Sequence, residues 1–242
     1  MNTQALLIEL GTEELPPVAL PELERALSEG IRNGLASAGL PHGDLVSYAA
    51  PRRLAVLVRD LAEQQPEQLL KRRGPPVSAA FDKTGQPTRA ATAFAESCGV
   101  DIGSLGRITE GKGEFLYFEG SKPGAPTPSL LAAIVQTALD ALPIPKRMRW
   151  GASQAEFVRP VHWVVLRFGD EVLDATLLDT RAGSTTRGHR FHAPGELSLP
   201  TPADYADVLR SSGHVIAHFN ERRERIREQV ESAALRLGGR AV

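Results

Sequence analysis

The residues best suited to chemistry in this sequence are arginines that lie beside turns and at strand ends. A guanidinium group offers a planar fork of donors that matches a phosphate, and aromatic neighbours can stack on bases. The candidates with this setting, including one lysine, one tryptophan and one histidine of the same motifs, are Arg52, Arg53, Arg72, Arg73, Lys146, Arg147, Arg149, Trp150, Arg187, His189 and Arg190. We predict that they contact RNA. The alternative is that many of them cap helices, tie down loops or pair with acids inside the fold.

Two adjacent carboxylates, Glu13 and Glu14, follow the first apolar strand. They could hold a metal ion or an amine-bearing partner. Adjacent residues of an extended segment point to opposite sides, which disfavours a facing acid–base pair. The pattern favours a structural role, in which both complement the positive end of the helix that starts near Pro17.

We predict that the remaining polar candidates are structural or pocket residues. His162 lies in an apolar strand on the face of Val164 and Leu166, which predicts a buried, hydrogen-bonded histidine. Arg159 could pair with Glu13, Glu14 or Asp179. His189 and His192 could bind a metal or stack on a base, but they lack cysteine or carboxylate neighbours. We therefore predict neither a metal site nor a catalytic residue in this chain.

Composition excludes several classes of function. The formal charge of the 242 residues is −1, so any binding of nucleic acid must come from local patches. The single Cys98 cannot form an internal disulfide, which fits a reducing cytoplasm. There is no phosphate-binding loop, dinucleotide fingerprint or zinc cysteine cluster, and no apolar run long enough for a membrane span. We predict a cytoplasmic protein with no membrane partner.

The elements that must position these residues alternate between short strands and helices. Two strands flank the turn Pro51–Arg53, and apolar residues at helical spacing predict helices over 20–35 and 130–142. A central hairpin pairs Val161–Phe168 with Val172–Leu178 around Gly169–Asp170, and residues 193–200 read as a loop. The fold class is therefore α+β, with a mixed, largely antiparallel sheet and packed helices. We divide the chain into a core domain over residues 1–200 and a helical segment over 201–242, whose exposed apolar stripe suggests a longer protein.

Six motifs follow one another along essentially the whole chain. They are GTEELPP at 11–17, APRRLA at 50–55, KRRGP at 71–75, KRMRWG at 146–151, FVRPVH at 157–162 and RGHRF at 187–191. In this order they resemble the N-terminal part of one known family, the β subunit of the bacterial two-subunit (α/β) glycyl-tRNA synthetase.

The resemblance implies a glycine–tRNA ligase whose partners are the α subunit and the tRNA for glycine, in an α2β2 assembly. It implies that ATP and magnesium serve the whole enzyme at the α-subunit site and that this segment binds neither. It also implies a fold similar to the B3/B4 domain of phenylalanyl-tRNA synthetase, where that fold supports editing. Glycine is the smallest amino acid, so larger ones can be rejected sterically and editing is less needed.

Three functions remain open at this point. The leading hypothesis is a non-catalytic module for tRNA contact and subunit assembly, with the arginines above as tRNA-binding residues. The second is a hydrolase that edits aminoacyl-tRNA or cuts RNA with Glu13, Glu14 and the histidines. The third is a scaffold whose arginines are internal.

Overall fold

The computed structural model describes residues 2–82, 84–111 and 113–242. Over these residues the chain forms an α+β fold with a largely antiparallel sheet, which confirms the predicted class. The strands are β1 (Thr3–Thr12), β2 (Leu45–Ala50), β3 (Arg53–Ala62), β4 (Gln68–Pro76), β5 (Gly106–Glu110), β6 (Gly113–Lys122), β7 (Val161–Phe168), β8 (Glu171–Val172), β9 (Thr176–Leu177), β10 (Thr180–Gly183), β11 (Thr185–Arg187) and β12 (Glu196–Ser198). The α-helices are α1 (Leu20–Ser37), α2 (Val77–Ala80), α3 (Arg89–Cys98), α4 (Pro128–Asp140), α5 (Tyr205–Ser211) and α6 (Phe219–Arg236).

The chain divides into two compact units. The first comprises the residues up to Gln65 together with Ala125–Val242, and the second comprises Pro66–Gly124. The predicted boundary between residues 200 and 201 falls inside the first unit, where α5 packs on the sheet. The division into 1–200 and 201–242 stays a prediction.

The first unit is built on a sheet with the order β2-β3-β1-β7-β10-β9. β1 lies inside it, antiparallel to both β3 and β7. Its residues Leu6, Ile8 and Leu10 belong to one apolar core and Leu7 to another, because successive side chains point to opposite faces of a sheet. Both faces are therefore covered, as the apolar character of β1 and β7 predicts.

Two helices cover one face of this sheet. α1 buries Leu20, Leu23, Leu27, Ile31 and Leu35 at helical spacing. α4 packs beside it, and the close approach requires glycine. A Cβ atom at Gly34 would lie 2.5 Å from Cγ2 of Ile134. Both helices agree with the periodicity of the sequence.

The opposite face is covered by the segment that follows β11. Leu199, Tyr205 and Leu209 pack there against Leu7 and Val165. The sequence predicted a loop over residues 193–200. That prediction is wrong in part, because β12 pairs with β11 in a small antiparallel hairpin. Thr201 and Asp204 then form a capping box that starts the helical turn before α5.

The predicted central hairpin is wrong over most of its return strand. β7 has the predicted bounds, but only the two-residue β8 pairs with it after the turn. The chain then leaves the strand and forms β9, which pairs with β10, and β10 runs parallel to β7. A parallel neighbour is a long-range pairing that local alternation does not reveal.

The second unit is a three-stranded sheet with the order β4-β6-β5. α2 and α3 cover one face through a small core of Ala80, Ala91 and Leu116. β5 and β6 form an antiparallel hairpin, and Lys112, which follows Gly111 in the sequence, lies outside the described residues.

α6 is exposed along its length, with Ile226 54% and Leu237, just after its end, 88% accessible. In the part of the chain that the structure describes, no helix combines the length and the apolar character needed to cross a membrane.

Candidate functional site

Several of the predicted motifs meet at one cleft of the first unit, with a volume of about 360 Å³. It lies between the turn that joins β2 to β3, the loop after β1, residues 188–191, residues 214–216 and the first turns of α6. Of the described residues that line it, four are arginines and a single one, Glu14, is acidic. This is an excess of positive charge in a chain whose formal charge is −1.

The loop after β1 is fixed by backbone hydrogen bonds on both sides. The N–H of Leu15 donates to the carbonyl of Pro51, and the N–H of Glu13 donates to the carbonyl of Pro160. β1 ends at Thr12, and the prolines at 16 and 17 lie between it and the start of α1 at Leu20. The motif GTEELPP thereby joins the β2–β3 turn to the start of β7.

Glu13 is held by two donors. Its Oε1 lies 3.2 Å from Nη2 of Arg52 and 2.8 Å from Nε2 of His162. Burial alone raises the pKa of Glu13, but the charge of Arg52 and the hydrogen bond and charge of His162 outweigh it, so the pKa of Glu13 is lowered. The prediction that His162 is buried is wrong, since 38% of its side chain is exposed. It lies where the register between β1 and β7 shifts, between the pairs Gly11–Trp163 and Thr12–Val161, but it is hydrogen-bonded as expected.

Arg53 lies at the cleft but its side chain is buried. Its Nη1 lies 3.0 Å from Oε1 of Glu9, and the side chains of the two are 3% and 0% exposed. Thr186 and Tyr205 donate to the same carboxylate oxygen at 2.9 Å each. Burial and the charge of Glu9 raise the pKa of Tyr205 well above its usual value, which keeps its hydroxyl protonated as a donor. Arg53 therefore belongs to the core.

An indole ring lies beneath these arginines. Trp163 is 8% exposed and covers Gly11, where a Cβ atom would lie 1.9 Å from the ring. The guanidinium carbons of Arg53 and Arg187 lie 5.6 and 5.3 Å from the ring centroid, which is cation–π distance. Arg187 also lies 3.6 Å from Glu196, at the half-exposed edge of the site.

Residues 188–191 form the other wall of the cleft. The N–H of His189 donates to the carbonyl of Gly213, and Nδ1 of His189 accepts from the backbone N–H groups of Phe191 and His192. Gly188 is required here, because a Cβ atom would lie 2.6 Å from the carbonyl oxygen of Ala193. The constrained backbone presents Arg190 and Phe191 to solvent.

Arg190 and Arg159 join this wall to the loop after β1. Nη1 of Arg190 lies 3.5 Å from Oε1 of Glu14, a long contact between two exposed side chains. Nε of Arg159 donates to the carbonyl of Glu14 at 3.1 Å. Arg159 therefore contacts Glu14, one of the three partners considered from the sequence, through the backbone carbonyl of Glu14.

The motif KRMRWG does not line the cleft. Arg147 donates to the carbonyl of Asp140 at the C-terminus of α4, and Arg149 pairs with Glu156 at 2.8 Å. Trp150 packs against the core. Lys146 is exposed. These contacts serve the end of a helix and the following loop, where cations complement the helix dipole.

The arginines of the motif KRRGP lie in the second unit and are engaged there. Arg72 donates to the carbonyl of Ser97 at 2.7 Å, and Arg73 pairs with Glu110 at 2.7 Å. Arg73 also stacks on Phe115, with its guanidinium carbon 4.5 Å from the ring centroid. Both side chains remain solvent-exposed.

The sequence analysis missed several residues of the site. Glu9, Thr186 and Tyr205 hold Arg53, and His214 and Arg222 line the cleft. A glutamate inside the apolar run of β1 is a signal for Glu9, because a charge there requires a buried partner. His214 and Arg222 carry no such signal, since only the folded chain brings the segment after α5 and the first turn of α6 to the cleft.

Among the described residues, no group of three or more histidine, cysteine, aspartate or glutamate side chains could hold a metal ion. What the cleft offers is an array of guanidinium and imidazole groups beside an aromatic ring. Such a surface on an α+β domain is suited to a partner that carries phosphate groups.

Comparison with known proteins agrees with the motifs. The sequence model of a family described as glycyl-tRNA synthetase beta subunit matches residues 6–242. The glycine–tRNA ligase beta subunit of Hahella chejuensis is 51% identical over 242 residues, which are 100% of this chain and 35% of the relative. That of Marinobacter nauticus is 52% identical over 243 residues with the same coverage. That of Coxiella burnetii is 49% identical over 238 residues, 98% of this chain and 34% of the relative.

The chain belongs to the glycyl-tRNA synthetase beta subunit family, as the series of motifs predicted. It spans about a third of the length of the curated relatives that it matches.

Proposed function

We propose that this chain is the tRNA-contacting and assembly part of a glycine–tRNA ligase. The ligase joins glycine to its tRNA with ATP and magnesium, and in this proposal both bind at the α subunit and not to this chain. The partners are the α subunit and the tRNA for glycine, in an α2β2 assembly in the cytoplasm. The observation that supports tRNA contact most strongly is the arginine-lined cleft.

The cleft suits phosphate better than a chemical step. Arg190 and Arg222 line it, and Arg52 keeps a quarter of its side chain exposed. Each phosphate contact made by arginine releases condensed counterions, so affinity depends on salt. We expect the chain to bind tRNA weakly, because one of the described lining residues is a carboxylate and the chain has a formal charge of −1. Added salt should weaken this binding further.

An editing hydrolase is the second candidate, and the state of Glu13 counts against it. A general base works best when its pKa lies near the working pH. The lowered pKa of Glu13 makes it a weak base, and its Oε1 is already engaged by Arg52 and His162. Release of free amino acid from a mischarged tRNA by the purified chain would favour the hydrolase.

Fluorescence anisotropy of labelled tRNA specific for glycine, titrated with the 242-residue chain, tests the proposal. An unrelated tRNA is measured alongside. We expect Arg190→Ala to weaken binding and to lower the slope of log affinity against log salt by about 1. Glu14→Gln should strengthen binding, because it removes a carboxylate and frees Arg190.

Arg181→Ala is the matched control, since Arg181 is exposed, pairs with Asp174 at 3.1 Å and does not line the cleft. The same titration with Arg147→Ala and Arg149→Ala tests the other basic motif. Saturable binding that is lost in these variants and kept in Arg190→Ala would move the RNA surface to the KRMRWG motif. Absence of binding at any salt concentration would favour the scaffold hypothesis for this chain.

A further inference from the structure

The wall of the cleft carries a continuous row of aromatic rings. The ring centroids of Phe191 and His189 are 6.0 Å apart, those of His189 and His192 are 4.6 Å apart, and those of His192 and His214 are 6.3 Å apart. These are the separations of offset-stacked and edge-to-face aromatic pairs. The row therefore forms one aromatic surface at the edge of the cleft.

The end of the row is open to solvent. Phe191 is 76% exposed, whereas the other large apolar side chains of this region, such as Trp163 and Tyr205, are buried. Its conformation is set by the backbone contacts of Gly188 and His189 and not by core packing. The guanidinium carbon of Arg190 lies 5.2 Å from the ring centroid of Phe191, so a cation is held beside the ring. A flat ring next to a cation is the arrangement that proteins use to stack an unpaired base beside its phosphate.

The opposite wall supplies further donors. Arg52 lines the cleft and keeps 25% of its side chain exposed. Arg222 lines the same cleft. The volume of about 360 Å³ lies near the lower end of the roughly 300–1,000 Å³ of small-ligand sites, which suits a single nucleotide. Glu14 can accept hydrogen bonds from a base amino group or a ribose hydroxyl.

We propose that the cleft holds an unpaired nucleotide of the RNA, with its base stacked on Phe191 and its phosphate on Arg190. This inference rests on the proposed RNA contact and specifies its kind. A base inside a duplex is covered by its neighbours and cannot stack on Phe191, so recognition selects a single-stranded end, loop or bulge.

The test compares one short unstructured RNA, labelled at its end, with the same strand annealed to its complement. Both are titrated by anisotropy with the 242-residue chain. We expect the single strand to bind more tightly than the duplex. Phe191→Ala should weaken binding of the single strand roughly 5- to 150-fold, the range for loss of one base–aromatic stack, and leave the duplex unchanged.

Two further variants separate stacking from apolar contact. Phe191→Tyr retains a flat ring and should bind the single strand as the parent chain does, while Phe191→Leu retains an apolar side chain and should not. Leu237→Ala, at an exposed apolar position outside the cleft, is the control.

One result would overturn the inference and leave the proposed RNA contact intact. In it, single strand and duplex bind equally, Phe191→Ala has no effect, and Arg190→Ala lowers the affinity for both RNAs. Weaker binding of the α subunit in the Phe191 variants, with unchanged RNA affinity, would overturn it in favour of a protein interface. Failure of every RNA, including the tRNA for glycine, to bind would refute the proposed RNA contact itself.

Discussion

Replacement of Arg53 by methionine removes the cation of the buried pair with Glu9 and keeps most of the apolar volume. The carboxylate of Glu9 is fully buried, and its Oε2 has no hydrogen-bond partner among the described residues. Without Arg53, only the hydroxyl groups of Thr186 and Tyr205 would face this charge. Loss of one partner of a buried ion pair costs about 3–5 kcal/mol, and we expect Arg53→Met to lower the free energy of unfolding by that amount.

The companion variant Glu9→Gln decides whether the charge is responsible. In the double variant Glu9→Gln/Arg53→Met no charge is left buried, and an amide oxygen still accepts from Thr186 and Tyr205. We expect its cost to fall to about 1–3 kcal/mol, the range for loss of a buried hydrogen bond. The double variant should therefore be more stable than Arg53→Met alone by about 2 kcal/mol.

Urea unfolding followed by tryptophan fluorescence measures these differences. Both tryptophans, Trp150 and Trp163, lie in the first unit, so their emission reports that unit alone. A cost below about 1 kcal/mol for Arg53→Met, as for an exposed ion pair, would refute the reasoning. A folded Arg53→Met chain whose RNA affinity and salt slope both fall would also contradict it, since a buried guanidinium cannot reach phosphate.

Three other changes test the packing, charge and loop geometry of the first unit. Gly11→Ala should lower the free energy of unfolding by about 1–3 kcal/mol in the same urea assay, because its Cβ atom would enter the Trp163 ring. Gly195→Ala is the control and should leave the free energy of unfolding unchanged, since a Cβ atom there lies in open space. Glu13→Gln should cost about 0.2–1 kcal/mol, reduced by salt. Because the pKa of Glu13 is lowered in the folded chain, this difference in the free energy of unfolding is fully present above the ordinary pKa of 4.5 and is lost as the pH falls through the folded pKa. A difference between the two chains that persists in acid would contradict the ion pair with Arg52. Asp179→Ala should speed amide hydrogen exchange at Gln154 and Ala155, which donate to Asp179, while Asp174→Ala should leave both rates unchanged. Equal exchange rates in the two variants would show that the carboxylate does not order this loop.

The sequence by itself determined the elements whose patterns are local. The leucines of α1 and the run of β7 depend on the periodicity of neighbouring residues, and both were predicted. The motif series likewise identified the family, because it extends along the whole chain. Two strand pairings were missed, the parallel pairing of β10 with β7 and the pairing of β11 with β12. They depend on residues distant in sequence or on short strands.

Tertiary structure alone separated the arginines. Arg52 and Arg53 are adjacent and equal in sequence, yet Arg53 points to the face of Glu9 and is buried, while Arg52 reaches Glu13 at the cleft. Strand geometry makes adjacent residues face opposite sides, but which side is covered depends on where β11 and Tyr205 pack. Arg222 lines the cleft from the first turn of α6 and His214 lines it from the segment before that helix. Arg147 does not line the cleft and donates to the end of α4. Burial and the available partners, which only the packed chain supplies, determine which guanidinium groups remain free for phosphate.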